Sequence, residues 1–113
     1  MMSLEEKQCV PCRVGMPPLS NQEEDRLKKE LPSWILIREN IHQLKKSYKF
    51  SDFREAMTFV NRVADLANSE DHHPDICIHY NRVDLTLFTH KIEGLHENDF
   101  ILASKIDGIE RNL

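Results

Sequence analysis

Residues 75–90 read DICIHYNRVDLTLFTH, and this stretch decides the fold. Apolar and polar residues alternate along both halves, which is typical of two strands that each bury one face. A two-residue turn at Asn81-Arg82 would join the halves into a hairpin. The register that matches the apolar positions pairs Tyr80 with Val83, Ile78 with Leu85 and Ile76 with Leu87.

The same register predicts that two histidines distant in sequence meet on the face away from the core. His73 would lie opposite His90, with about 5 Å between their Cβ atoms, and His79 would lie opposite Asp84. His72 directly precedes His73. Because imidazole titrates near neutral pH, three histidines at the ends of adjacent strands indicate acid–base chemistry on a small molecule.

The hairpin follows the clearest helical pattern of the chain. Apolar residues recur at i, i+3, i+4 and i+7 from Phe53 to Ala67 and cover about half of the helix circumference. Ser51 is the predicted N-cap, and the helix is expected to end near Asn68–Asp71. Such a broad apolar face favours a helix laid across a sheet.

The flanking segments complete the order of elements. Ser20–Glu23 form a capping box that opens a helix running to about residue 31, where Pro32 stops it. Strands are predicted over residues 34–38 and 43–50, and a last helix over 98–111. The sequence therefore predicts an α+β fold, a single domain at residues 20–113 with three helices on one face of a four-stranded antiparallel sheet, in the order α-β-β-α-β-β-α.

Residues 1–19 form a predicted irregular leader, since they hold three of the five prolines. Cys9 and Cys12 have the spacing of zinc or redox motifs, but no second ligand pair follows at finger spacing. A flexible leader that carries two thiols is the simpler interpretation. The third cysteine, Cys77, leaves an odd count, which argues against a disulfide framework.

Composition excludes several classes of function. The net charge of −4 gives no electrostatic support for binding nucleic acid. The sequence has no apolar run near the ~20 residues of a membrane span and no signal peptide at its start, so a cytoplasmic location is expected.

Six residues at fixed spacing resemble the signature of the pterin-4a-carbinolamine dehydratases. In that family an HHP triplet is followed by an aromatic residue, a histidine and an aspartate. Here these are His72, His73, Pro74, Tyr80, His90 and Asp99. The resemblance covers about residues 20–107. Family members usually carry an acidic residue four positions before the first histidine, where this chain has Asn68.

The resemblance implies a hydro-lyase that dehydrates a 4a-hydroxytetrahydropterin to the quinonoid dihydropterin and so recycles the tetrahydropterin, without any cofactor. His72 and His90 would be the proton-transfer pair, and His73 would bind and position the pterin. Asp99 would orient a histidine or contact the substrate. Asp71, Pro74 and Asn68 are further candidate supporting residues.

The resemblance also implies partners. Family members are typically dimers or tetramers, and a functional link to an aromatic amino acid hydroxylase is expected. Some members act as accessory subunits of a transcription factor, so a non-catalytic binding module on the same fold is the alternative function.

A metal site built from the histidines with Cys77 and Asp75 is a lesser alternative, since the predicted register places Cys77 two residue pairs away from His73 and His90. His42, His79 and His96 are interpreted as structural.

Overall fold

A computed structural model describes residues 2–113. Its three helices are α1 (Asn21–Lys28), α2 (Phe53–Glu70) and α3 (Glu97–Arg111). Its four strands are β1 (Ile35–Ile37), β2 (Gln43–Lys49), β3 (Asp75–His79) and β4 (Arg82–Leu87). The predicted fold class and the predicted order of elements are confirmed.

The strands form one antiparallel sheet in the order β1-β2-β4-β3. Side chains on one face of the two central strands are buried, whereas β3 is an exposed edge strand. The buried apolar side chains of the helices pack on that face, and Phe59 and Phe100 are fully buried there. Among residues 2–113, no helix combines the length and the apolar character that crossing a membrane requires.

The hairpin is real, but its predicted register is wrong by two residues. β3 and β4 pair His79 with Arg82, Ile78 with Val83 and Ile76 with Leu85, so the turn is Tyr80-Asn81. A shift of two keeps the apolar face intact, since side chains alternate with period two. It removes the predicted cross-strand pairs, because Asp84 now faces Cys77 and not His79. His73 and His90 both lie outside the paired strands.

Contacts with Phe50, the residue after β2, explain the position of the turn. The Asn81 amide donates to the Phe50 carbonyl at 2.9 Å, and the Asn81 carbonyl accepts from the Phe50 N–H at 2.8 Å. This pairing holds Asn81 in the turn and leaves Tyr80 in the left-handed region at φ 52°. The exposed Tyr80 ring stacks on Phe53 with centroids 6.4 Å apart. Phe53, predicted to face the core, is therefore a surface residue.

Two predicted helix starts are also corrected. Asp52, not Ser51, caps α2, because its carboxylate accepts from the N–H of Glu55 at 2.8 Å. α3 begins at Glu97, one residue earlier than predicted. Its N-cap is His96, whose ring accepts from the N–H of Asn98.

The leader packs against the domain instead of extending from it. Leu4, in a short 3-10 turn at Leu4–Glu6, is buried in the core. Further along, the N–H of Leu19 donates to the carbonyl of Leu95. A Cβ on Gly94 would lie 2.8 Å from the Pro18 ring, so the glycine permits this close approach. The leader is therefore held at Leu4 and again at Leu19.

Candidate active site

His72 and His73 follow the end of α2, where the chain reverses its direction. Asp71 adopts the left-handed conformation, and its N–H donates to the carbonyls of Ala67 and Asn68. The N–H of His72 also donates to the carbonyl of Ala67. These bonds satisfy the free carbonyls of the last helical turn. Pro74 then restricts the residue before it to extended backbone, and the chain enters β3.

A buried carboxylate orients His72. The His72 Nε2 lies 2.6 Å from Oδ1 of Asp99, whose side chain is inaccessible to solvent. The other oxygen of Asp99 accepts from the Thr89 hydroxyl at 2.8 Å and from the N–H of His96 at 3.0 Å. An ionised carboxylate can only accept hydrogen bonds, so His72 donates through Nε2. In the neutral ring Nδ1 is then the basic nitrogen.

The side chain of Asn68, near the end of α2, contacts the His73 ring. Its Nε2 lies 3.0 Å from the side-chain oxygen of Asn68, one helical turn earlier. An amide oxygen accepts, so His73 donates to it. Asn68 supplies this hydrogen bond without supplying a negative charge.

His90 approaches the pair from the other side. It follows β4 and opens a 3-10 turn, His90–Ile92. Its ring packs on Phe88 with centroids 4.1 Å apart and is otherwise exposed. The neighbouring Thr89 is buried and belongs to the Asp99 cluster. Thr89 therefore points towards Asp99, whereas the next residue, His90, has an exposed ring.

The three imidazoles line one open cavity of about 360 Å³, within the range of small-molecule pockets. Asp71 also lines it, whereas Asp99 lies behind His72, and Asn68 and Pro74 do not reach its surface. The remaining lining residues are Cys9, Val10, Pro11, Cys12, Glu70, Phe88, Thr89, Lys91 and Asn98.

Sequence reasoning missed the contribution of the leader to this cavity. The CxxC spacing was the available signal, but nothing in the sequence ties Cys9 to Glu70, whose carboxylate accepts its N–H at 2.8 Å. Burial and the nearby Glu70 charge raise the pKa of the Cys9 thiol to about 12. Burial also raises the pKa of Cys12. Both thiols are therefore protonated at neutral pH and poorly nucleophilic.

The structure does not assemble the alternative metal site. Cys77 is exposed on β3, and neither it nor Asp75 lines the cavity. Within residues 2–113, no three His, Cys, Asp or Glu side chains converge as metal ligands would.

The remaining histidines make contacts elsewhere in the fold. His42 lies 2.8 Å from the buried Glu24, and His96 caps α3. His79 lies 3.5 Å from Asp84 on the exposed face of the sheet. None of the three lines the cavity.

Comparison with known proteins gives one consistent family. Residues 17–109 match the family model described as pterin 4 alpha carbinolamine dehydratase. A relative from Rubrobacter xylanophilus, named "Putative pterin-4-alpha-carbinolamine dehydratase", is 51% identical, with 95% of this chain and 98% of that protein covered. A relative of the same name from Halorhodospira halophila is 45% identical, with 96% and 98% covered.

Solved structures share the fold. A Brucella melitensis protein described as a transcriptional coactivator/pterin dehydratase superposes with a TM-score of 0.76 at 35% identity, covering 81% of this chain and 97% of its own. A pterin dehydratase-like protein described as a RuBisCO assembly factor has a TM-score of 0.59 at 22% identity, covering 68% and 88%. The second likeness concerns the fold alone.

Proposed function

This chain belongs to the pterin 4 alpha carbinolamine dehydratase family of hydro-lyases, and from that premise we propose that its histidines dehydrate a 4a-hydroxytetrahydropterin to the quinonoid dihydropterin. The product would return to the tetrahydropterin pool through a separate reduction, so the reaction recycles the pterin cofactor of another enzyme.

The chemistry of the step explains why imidazoles are needed. The C4a–O bond breaks as the hydroxyl takes a proton and leaves as water. The N5–H bond gives up its proton as the C4a–N5 double bond forms, so no electrons are exchanged with a cofactor. Both proton transfers must work near pH 7, and each well-placed acid or base typically contributes on the order of 10²–10⁴-fold.

His72 and His90 are the proposed proton-transfer pair, and His73 is proposed to bind the pterin. One observation carries this assignment: His72 lines the cavity while its Nε2 is held at 2.6 Å by the inaccessible Asp99. A fixed ring presents its other nitrogen in a constant direction, which a proton relay requires. His90 faces the same cavity with no hydrogen bond to its ring within residues 2–113.

Alanine replacement of each proposed catalytic histidine tests the function. Against chemically generated 4a-hydroxytetrahydropterin, followed by the absorbance of the quinonoid product, His72→Ala and His90→Ala should each lower kcat roughly 10²–10⁴-fold. His79→Ala is the matched control, since His79 is exposed on β3 and away from the cavity. Circular dichroism should show native folding in all three variants. Wild-type turnover in both site variants would overturn the assignment.

A protein-binding accessory module is the second candidate function. The observation in its favour is the edge strand β3, which leaves Ile76 and Ile78 36% and 38% exposed. Such an edge can pair with a second strand, so we also propose self-association as a dimer or tetramer through it. Light scattering measures the size of the assembly. A folded wild-type chain with no dehydratase turnover would favour the accessory function over the enzyme.

The metabolic setting is part of the same proposal. A 4a-hydroxytetrahydropterin arises when a tetrahydropterin is consumed by an oxygenase, so an aromatic amino acid hydroxylase in the cytoplasm is the proposed source of the substrate. Deletion of this chain's gene should then slow the hydroxylase in cells without changing its purified activity.

A further inference from the structure

The leader segment at residues 9–12 covers part of the cavity from outside the matched family region. The family model begins at residue 17, whereas Cys9, Val10, Pro11 and Cys12 all line the pocket. The other lining residues come from the end of α2 and the histidine pair after it, from residues 88–91, and from Asn98 on α3. The pocket of this chain is thus built from two separate parts of the sequence.

A side-chain amide on α3 holds this segment as a neighbouring strand would. Asn98 Oδ1 accepts from the N–H of Val10 at 2.9 Å, and its Nδ2 donates to the carbonyl of Val10 at 2.6 Å. The same Nδ2 lies 3.4 Å from the sulfur of Cys12. Asn98 is 2% exposed, so its side chain is committed to the leader.

Two further contacts fix the start of the segment. The N–H of Cys9 donates to Glu70 at 2.8 Å, and the thiol of Cys9 lies 3.6 Å from the carbonyl oxygen of Asn98. Since the thiol is protonated at neutral pH, it can donate this bond. The cysteines therefore act here as small, partly buried groups that dock a loop.

We propose that residues 9–12 are a permanent wall of the pterin pocket and that Asn98 is the positioning residue that holds them. Val10 and Pro11 give this wall an apolar surface, to which a flat heterocycle can bind while the imidazoles carry out the proton transfers. The inference rests on the proposed function for the identity of the ligand. It adds a binding element that the histidine signature does not contain.

The wall should affect binding and not chemistry. No hydrogen bond joins the leader to His72, His90 or Asp99 within residues 2–113. Release of the leader therefore leaves the proton-transfer groups in place and removes one side of the pocket. This predicts a rise in KM at nearly constant kcat.

Asn98→Ala is the test, and Asn112→Ala is its matched control. Asn112 also bonds a backbone carbonyl, that of Gly108, at the opposite end of α3. Loss of the clamp should raise KM roughly tenfold, with kcat within about twofold of the wild type, whereas Asn112→Ala should change neither. An unchanged KM in Asn98→Ala, or a fall in kcat alone, would overturn the inference.

Thiol alkylation supplies a second readout that does not depend on turnover. In a Cys77→Ser background, iodoacetamide should label Cys9 and Cys12 slowly, faster after Asn98→Ala, and more slowly when a 7,8-dihydropterin saturates the pocket. Equal labelling rates with and without Asn98, or no protection by the bound pterin, would overturn the proposal that residues 9–12 form a wall of the pocket. Protection by the pterin in a chain without dehydratase turnover would uphold the wall and overturn only the proposed reaction.

Discussion

α3 carries two carboxylates that look alike in their contacts and differ in their surroundings. Asp99 accepts from His72, Thr89 and the N–H of His96. Eight residues later, about 12 Å along the helix, Asp107 also accepts three hydrogen bonds. Its donors are Trp34 Nε1 at 3.1 Å, Lys46 Nζ at 2.8 Å and the Tyr48 hydroxyl at 2.6 Å.

The two carboxylates differ in where their hydrogen-bond donors lie. Trp34 directly precedes β1 and Tyr48 lies on β2, and both are buried in the core, so Asp107 ties this part of the fold to α3. None of its three donors lines the cavity. One donor of Asp99, His72, has its ring in the cavity. A carboxylate that accepts three hydrogen bonds therefore stabilises the fold in either place, whether it is fully buried like Asp99 or partly buried like Asp107. We expect a functional consequence only where one donor is a titratable ring that lines the cavity, as His72 does.

The largest expected effect comes from removing each charge in turn. Asp99→Asn should lower dehydratase kcat roughly 10²-fold or more, because the amide no longer selects the His72 tautomer that donates through Nε2. Asp107→Asn should leave kcat within about twofold. Each substitution should cost about 1–3 kcal/mol of unfolding free energy, since a buried donor loses its acceptor. Urea titration measures the second quantity beside the kinetic assay.

The comparison would be broken if the two variants lost activity equally at matched folded fraction. In that case the α3 carboxylates would act only through stability, and the role proposed for His72 would lose its physical support.

An intermediate effect is expected from placing a negative charge near His73. Asn68→Asp places a carboxylate at the 3.0 Å contact, and a negative charge there favours the protonated form of the neighbouring imidazole. Any limb of the pH–rate profile that depends on His73 should move to higher pH by roughly one unit or less, because the contact is exposed. Asn61→Asp, the same change two turns earlier on the exposed side of α2, should leave the profile in place. A shift of equal size in both variants would indicate a general effect of net charge.

The smallest effect concerns alkaline stability at the two ends of α3. The pKa of Cys9 in the folded protein is raised to about 12, above its ordinary value of 9.0. The folded state thus holds this proton more tightly, and its contribution to stability is complete below pH 9 and declines as pH rises toward 12. Cys9→Ser should flatten the fall of unfolding free energy between about pH 9 and 10.

Tyr48, at the Asp107 end, provides the contrast. Burial and the hydrogen bond to Asp107 raise its pKa above the ordinary 10.0. Its contribution therefore begins to fall only above pH 10, and Tyr48→Phe should change the slope only there. If urea titrations gave Cys9→Ser no effect on the slope at any pH, the thiol would not be docked in solution.

Local patterns were sufficient to predict most elements of the fold. The apolar period between Phe53 and Ala67 predicts α2, and the alternation of residues 75–90 predicts β3 and β4, because both record which side chains avoid water. The register of the hairpin was not predictable. It depends on Asn81 pairing with Phe50, thirty-one residues away, and turn preference alone does not contain that contact.

The candidate site likewise has one part that the sequence predicts and another that depends on tertiary contacts. The spacing of His72, His73, His90 and Asp99 marks a family, and so a chemistry, from the sequence alone. The 2.6 Å bond between His72 and Asp99 and the shared cavity exist only once α2, β4 and α3 are packed together. Cys9 and Asn98 carry no recognisable signal, since each is ordinary in its own segment and they meet across 89 residues of chain. The sequence by itself determined the elements and the reactive groups, because periodicity and side-chain chemistry are local. Only the tertiary structure decided which of those groups line one cavity, because that depends on long-range packing.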